Sequence, residues 1–120
     1  LAQSNGFLTT HILDTANGCP AEGVKITLYL LNGAERTKLT SVITNKDGRT
    51  DTPILAKGKM QKGVYELVFE MGEYFKSKGN KEDLPFVDVV PIRFGIANDD
   101  DHYHVPLLAS AFSFSTYRGS

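Results

Sequence analysis

Three histidines, His11, His102 and His104, are the side chains of this sequence whose ordinary pKa lies nearest neutrality, and so its natural proton carriers. His11 stands in "TTHILD", where Leu8 and Ile12 alternate against Thr9 and His11. His102 and His104 stand two apart in "HYHVPLL". On a strand they share one face with Pro106 and Leu108, while Tyr103, Val105 and Leu107 form the other, apolar face. Every histidine is thus placed away from a core-facing pattern, where an imidazole does nothing for packing. Two imidazoles two residues apart can also converge on zinc, given a third ligand such as His11. That reading ranks below a metal-free site, and a merely exposed histidine pair fits the motif as well. Arg49 follows the turn formers of "NKDG"; Tyr117, Arg118 and Ser120 crowd the end of "FSFSTYRGS". Periodicity alone gives either arginine nothing beyond a solvated position. Cys19, in the loop "NGCPAEG", has no electropositive neighbour in sequence and is given no role.

The elements that must position these groups have a period of two. Strands are expected over "GFLTTHILD" (Gly6–Asp14), "VKITLYLL" (Val24–Leu31), "KLTSVIT" (Lys38–Thr44), "GVYELVFE" (Gly63–Glu70), "FVDVVPIRFGI" (Phe86–Ile96), "HYHVPLLAS" (His102–Ser110) and "FSFSTYR" (Phe112–Arg118). The last two are close enough to form a hairpin. Pro106 inside its strand marks an edge or a bulge. "GEYFKSKG" (Gly72–Gly79) reads as about two helical turns stopped by Gly79. Many short strands with one short helix predict an all-β sandwich. The acidic "NDDD" loop (Asn98–Asp101) reads as a solvated turn, because its carboxylates lack the spacing of a calcium site.

The chain has 120 residues, 41% of them hydrophobic and 22% charged, with a net charge of −1. Such a chain is expected to form one domain, residues 1–120, with a core that needs no staples. The near-zero charge argues against nucleic acid or an anionic membrane as the main partner, and no apolar run approaches membrane-spanning length. A single cysteine excludes an internal disulfide framework. The sequence starts at Leu1 rather than Met. The cytoplasm is the expected compartment, with the periplasm after signal-peptide removal as the alternative.

Taken together, "THILDT", "TNKDGRTD", "HYHVPLL" and the terminal "STYRGS" resemble the 5-hydroxyisourate hydrolases, the transthyretin-related proteins of purine degradation. "PAEGV", "GVYELVF", "EYF" and "VPIRFGI" fit as well, so the resemblance runs from Phe7 to Ser120. It implies a prealbumin-like β-sandwich of two four-stranded sheets with one short helix. It also implies a homotetramer, a dimer of dimers with a central channel lined by outward strand faces. The reaction implied is hydrolysis of 5-hydroxyisourate to 2-oxo-4-hydroxy-4-carboxy-5-ureidoimidazoline, with no cofactor. The resemblance makes His11, Arg49, His104 and Ser120 the catalytic set. His104 is then the base or water-orienting group, His11 its partner, Arg49 the electrostatic clamp and Ser120 an orienting hydroxyl. The choice of histidine that holds the proton stays open. Tyr117 and Arg118 join His11, Arg49 and Ser120 as substrate contacts. Hormone-carrying transthyretin shares the fold but lacks the "YRGS" ending, and a small-ligand carrier without catalysis is the alternative.

Overall fold

The computed structural model of the chain describes residues 5–119. Its elements run β1 (Phe7–Thr9), β2 (Ile12–Asp14), β3 (Cys19–Pro20), β4 (Lys25–Asn32), β5 (Glu35–Ile43), β6 (Gly63–Glu70), α1 (Met71–Ser77), β7 (Val89–Ile96), β8 (His102–His104), β9 (Leu107–Ala109) and β10 (Phe114–Thr116). One sheet is antiparallel in the order β5-β4-β6-β7, and a second four-stranded set runs β10-β9-β2-β3. The two pack face to face as a β-sandwich. β1 and β8 form a separate parallel pair that continues the second set. Ile26, Leu28, Tyr65, Leu67 and Phe69 of the first sheet share one buried core with Ile12 and Leu107 of the second, Leu8 and Tyr103 of the β1–β8 pair, and Val105.

The segment expected as one strand from Gly6 to Asp14 is two, β1 and β2, and that expected from His102 to Ser110 is also two, β8 and β9. They pair in parallel and keep one register throughout, with Phe7 opposite His102, Thr9 opposite His104 and Ile12 opposite Leu107. The ladder breaks at Pro106, which has no N–H to give. On either side of the break the Val105 amide donates to the Thr9 carbonyl at 3.0 Å and the Leu107 amide to the His11 carbonyl at 2.9 Å. The far edge of β1 and β2 takes up the segment after the "NKDG" turn, through bridges from Leu8 to Leu55 and from His11 to Arg49.

β10 pairs antiparallel with β9, the expected hairpin, but it ends at Thr116 rather than Arg118. The helix lies within a residue or two of its expected bounds. Gly79 stops it with a φ of +105°, a conformation that costs a glycine little. The Tyr74 hydroxyl of α1 donates to Asp14 Oδ2 at 2.7 Å and ties the helix to β2. Burial pushes the Asp14 carboxyl up, yet bonds from Asn17, Tyr74 and Ala16 outweigh it and hold the group below its usual range.

On the outer face of the other sheet, the alternation of β6 turns Glu66 away from the core side of Tyr65, Leu67 and Phe69, where a carboxylate is ordinarily solvated. It is instead buried, accepting 2.8 Å bonds from Arg36 and Arg93. The Arg93 bond, and after it Arg36, keep this carboxyl ionised well below its ordinary pKa against the cost of burial.

Candidate active site

Alternation along β1–β2 and β8 puts Phe7, Thr9, His11, His102 and His104 on the face turned away from the core. The parallel register then sets them side by side. Phe7 stacks on His102 with ring centroids 4.1 Å apart and planes 9° apart. His11 stacks on His104 at 4.8 Å. Thr9 stands between the two strand histidines, its hydroxyl 2.6 Å from His102 Nε2 and 2.7 Å from His104 Nδ1. His104 Nε2 meets His11 Nδ1 at 2.7 Å.

Arg49 is delivered by its turn. Asn45 Oδ1 accepts the amides of Asp47 and Arg49, and the Asn45 amide donates to the Arg49 carbonyl at 2.8 Å. Gly48 takes a φ of +70° beneath β2, and a Cβ there would come within 2.5 Å of the Ile12 carbonyl oxygen. Only glycine fits this approach, and it sets Arg49 beside His11. Thr9, Arg49, His102, His104, Tyr117 and Gly119 line an open cleft of about 380 Å³.

His104 differs from the sequence expectation in its exposure. Its side chain does turn away from the core, but the residue is only 8% exposed. The C-terminal segment lies over it, with the Gly119 amide bonded to the His104 carbonyl. Burial, and after it the charges of His11, Arg49 and His102, push His104 down to about 4. His11 is also lowered, first by burial and then by the Arg49 guanidinium. Both shifts favour the neutral ring, and the hydrogen bond between the two needs a lone pair on at least one of them. Their 2.7 Å separation is a hydrogen-bond length. Zinc bound to both would hold each nitrogen about 2.0–2.1 Å from the metal and spread the pair. Among the described residues no three His, Cys, Asp or Glu side chains gather as a metal site.

The structure brings together His11, Arg49 and His104 of the expected set and places Tyr117 at the edge of the same cleft. It does not bring Arg118 there. That guanidinium lies 3.9 Å over the Tyr103 ring and 3.6 Å from Asp101. Ser120, expected as the orienting hydroxyl, lies outside the described residues. Both ring nitrogens of His104 are engaged, by Thr9 and His11, so the ring nitrogen of this pair left without a partner among the described residues is His11 Nε2. Thr9 was not among the expected site residues. The alternation that turns His11 outward also turns Thr9 outward, but only the pairing of β1 with β8 sets its hydroxyl between two imidazoles.

A two-sheet sandwich carrying a histidine–arginine cluster on one outer face defines a class, and the chain belongs to the HIUase/Transthyretin family, whose model matches residues 8–119. Among its relatives, a 5-hydroxyisourate hydrolase 2 of Rhizobium meliloti (strain 1021) is 55% identical over 117 residues, covering 97% of this chain and 98% of that protein. The solved 5-hydroxyisourate hydrolase of Klebsiella pneumoniae is 35% identical, superposes with a TM-score of 0.76, and is covered over 98% of its length by 100% of this chain. Sea bream transthyretin solved with thyroxine is 25% identical at a TM-score of 0.84, with 93% of each chain covered. No helix among the described residues is long and apolar enough to cross a membrane.

Proposed function

We propose that this chain hydrolyses 5-hydroxyisourate, opening its six-membered ring to 2-oxo-4-hydroxy-4-carboxy-5-ureidoimidazoline. The observation that carries the reading is the bonded His11–His104 pair beside Arg49, in a family whose high-identity relatives bear the hydrolase name. The step needs a base for water, a counter-charge for the oxyanion and donors for a carbonyl-rich ring. His11, with Nε2 unpartnered among the described residues, is the base, and His104 fixes its tautomer and direction. Arg49 offers a planar fork of donors to the developing negative charge. Tyr117 and Ser120 complete the substrate contacts. A thyroxine-type carrier is the second reading; the polar lining of the cleft, with its arginine, threonine and two strand histidines, favours the hydrolase.

The assembly we propose is a homotetramer, a dimer of dimers, in which outward faces such as that of β1 and β8 line a shared channel. The support is a cluster that a lone subunit would leave on an open surface, where water screens charge. The lone free thiol, Cys19, fits a reducing cytoplasm.

The deciding experiment follows freshly generated 5-hydroxyisourate by absorbance with and without the protein. Acceleration that saturates with substrate supports the hydrolase; decay at the uncatalysed rate, with thyroid-hormone-like ligands bound instead, supports the carrier. Folded monomers that turn over at the full rate would remove the tetramer from the mechanism.

A further inference from the structure

The pair His11–His104 is part of a longer row. His11 Nδ1 meets His104 Nε2 at 2.7 Å, His104 Nδ1 meets Thr9 Oγ1 at 2.7 Å, and Thr9 Oγ1 meets His102 Nε2 at 2.6 Å. A neutral imidazole has one N–H and one lone pair, and a hydroxyl donates once while accepting. Two fillings of the row keep every bond running in one direction. In the first, His11 donates to His104, His104 to Thr9, and Thr9 to His102. In the second, every bond runs the other way. A reversal at the His11–His104 or His104–Thr9 contact alone would leave one contact with two protons or with none, a costly arrangement in a part-buried site, while a Thr9 hydroxyl accepting from both histidines would break the row. Within the two unidirectional fillings the protons shift together.

We infer that Thr9 and His102 extend the histidine pair into a proton relay, with the Thr9 hydroxyl as the linking switch and His102 as its outer terminus. The inference rests on the hydrolytic reading above. Water gives a proton to His11 Nε2 as its oxygen bonds to the ring carbonyl carbon. The proton on His11 Nδ1 passes to His104 Nε2, that on His104 Nδ1 to Thr9, and that of Thr9 to His102 Nε2. His102, already protonated at Nδ1, now carries the positive charge, and the carbonyl oxygen beside Arg49 carries the negative one. When the C–N bond breaks, the leaving nitrogen takes the proton from His11 Nε2 and the row runs back. One water has been added and no proton is gained or lost.

The relay solves a problem that the pair alone does not. His104 is buried and faces Arg49 and His11, so a cation there is disfavoured. Moving the charge through Thr9 sets it on half-buried His102, whose ring is stacked on Phe7. Thr9 and His102 are positioning residues in this scheme, since they act through His104 and His11.

The test compares the unsubstituted protein with Thr9→Val, Thr9→Ser and His102→Phe, which keeps the stack on Phe7. Thr9→Val should lower kcat about 10²-fold, the low end for a positioned proton-transfer group, with KM nearly unchanged. Thr9→Ser should restore most of the rate. The dependence of rate on the deuterium content of the solvent should be curved in the unsubstituted protein, where several protons move, and straight in Thr9→Val. Ring-nitrogen NMR of the resting protein should show the His102 and His104 signals changing together in Thr9→Val. If Thr9→Val does not fold, His102→Phe carries the same comparison. Full kcat with unchanged curvature in a folded variant overturns the relay while leaving the hydrolase standing. Failure of Thr9→Ser to restore the rate also overturns it. No turnover by the unsubstituted protein brings down the hydrolytic reading, and the relay with it.

Discussion

The amide of Gly119 donates to the carbonyl of His104 across 2.7 Å, and this bond holds the C-terminal segment over the imidazole. A Cβ at Gly119 would lie 2.8 Å from His104 Cδ2, closer than side-chain carbons come to one another. Gly119→Ala must therefore move the tail or turn the ring. The expected result is a fall in kcat of up to about 10²-fold, the penalty for a misplaced catalytic group, with a stability change within about 0.5 kcal/mol. Deleting Tyr117–Ser120 should act in the same direction. Steady-state kinetics and a thermal melt on the same preparation check both, and a truncated chain with normal turnover would detach the tail from the site.

Arg49 is asked to meet developing negative charge. Arg49→Ala should lose ~2.7–4 kcal/mol of transition-state stabilisation, or about 10²–10³ in kcat. Arg49→Lys should recover only part of this, because a point charge does not reproduce the fork. Equal rates for the lysine variant and the unsubstituted protein would show that charge alone suffices.

The histidines set a pH dependence with a definite sign. His104 in the fold is pushed down to about 4 from an ordinary 6.5, and His11 is lowered too. The unfolded chain therefore binds more protons than the folded one between those values, so stability rises with pH across the window. It is fully present above about 6.5 and is lost as the pH falls towards 4. Urea midpoints measured across that range should fall more steeply for the unsubstituted protein than for His104→Phe. The acid limb of kcat/KM should likewise lie below the ordinary histidine range; a limb centred on the ordinary value would contradict the lowered pKa of the pair.

Glu66 tests structure apart from chemistry. Its carboxylate bridges Arg36 and Arg93 on the other sheet, away from the histidine face. Hydrogen bonds to charged groups contribute about 1.5–3 kcal/mol, and Glu66→Ala should cost that much in a denaturant titration while kcat stays unchanged. A matching loss of kcat would mean that the two faces are coupled.

Chelation addresses the zinc alternative. The 2.7 Å contact between His11 and His104 leaves no room for an ion between those nitrogens, so dialysis against a strong chelator should leave the rate intact. Activity lost and then restored by zinc would reassign His102 and His104.

The period-two pattern by itself determined the sandwich, because side chains on a strand must alternate between core and outside whatever they pair with. Leu8, Ile12, Tyr103, Val105 and Leu107 were legible as core for that reason, and Thr9, His11, His102 and His104 as outward. The helix and its glycine stop were legible too, since both are local. Pairing was not. Which strands lie side by side, and in what register, depends on contacts about 95 positions apart in sequence, such as the bonds from Thr9 to His102 and His104. Only the tertiary structure decided that the Thr9 hydroxyl joins two imidazoles, that His104 is covered by Gly119, and that Arg118 turns to Tyr103 and Asp101 instead of the cleft. Glu66 shows the same limit. Alternation places it on the outer face, but its two arginine partners come from β7 beside it and from β5 two strands away, which no local pattern can bring together.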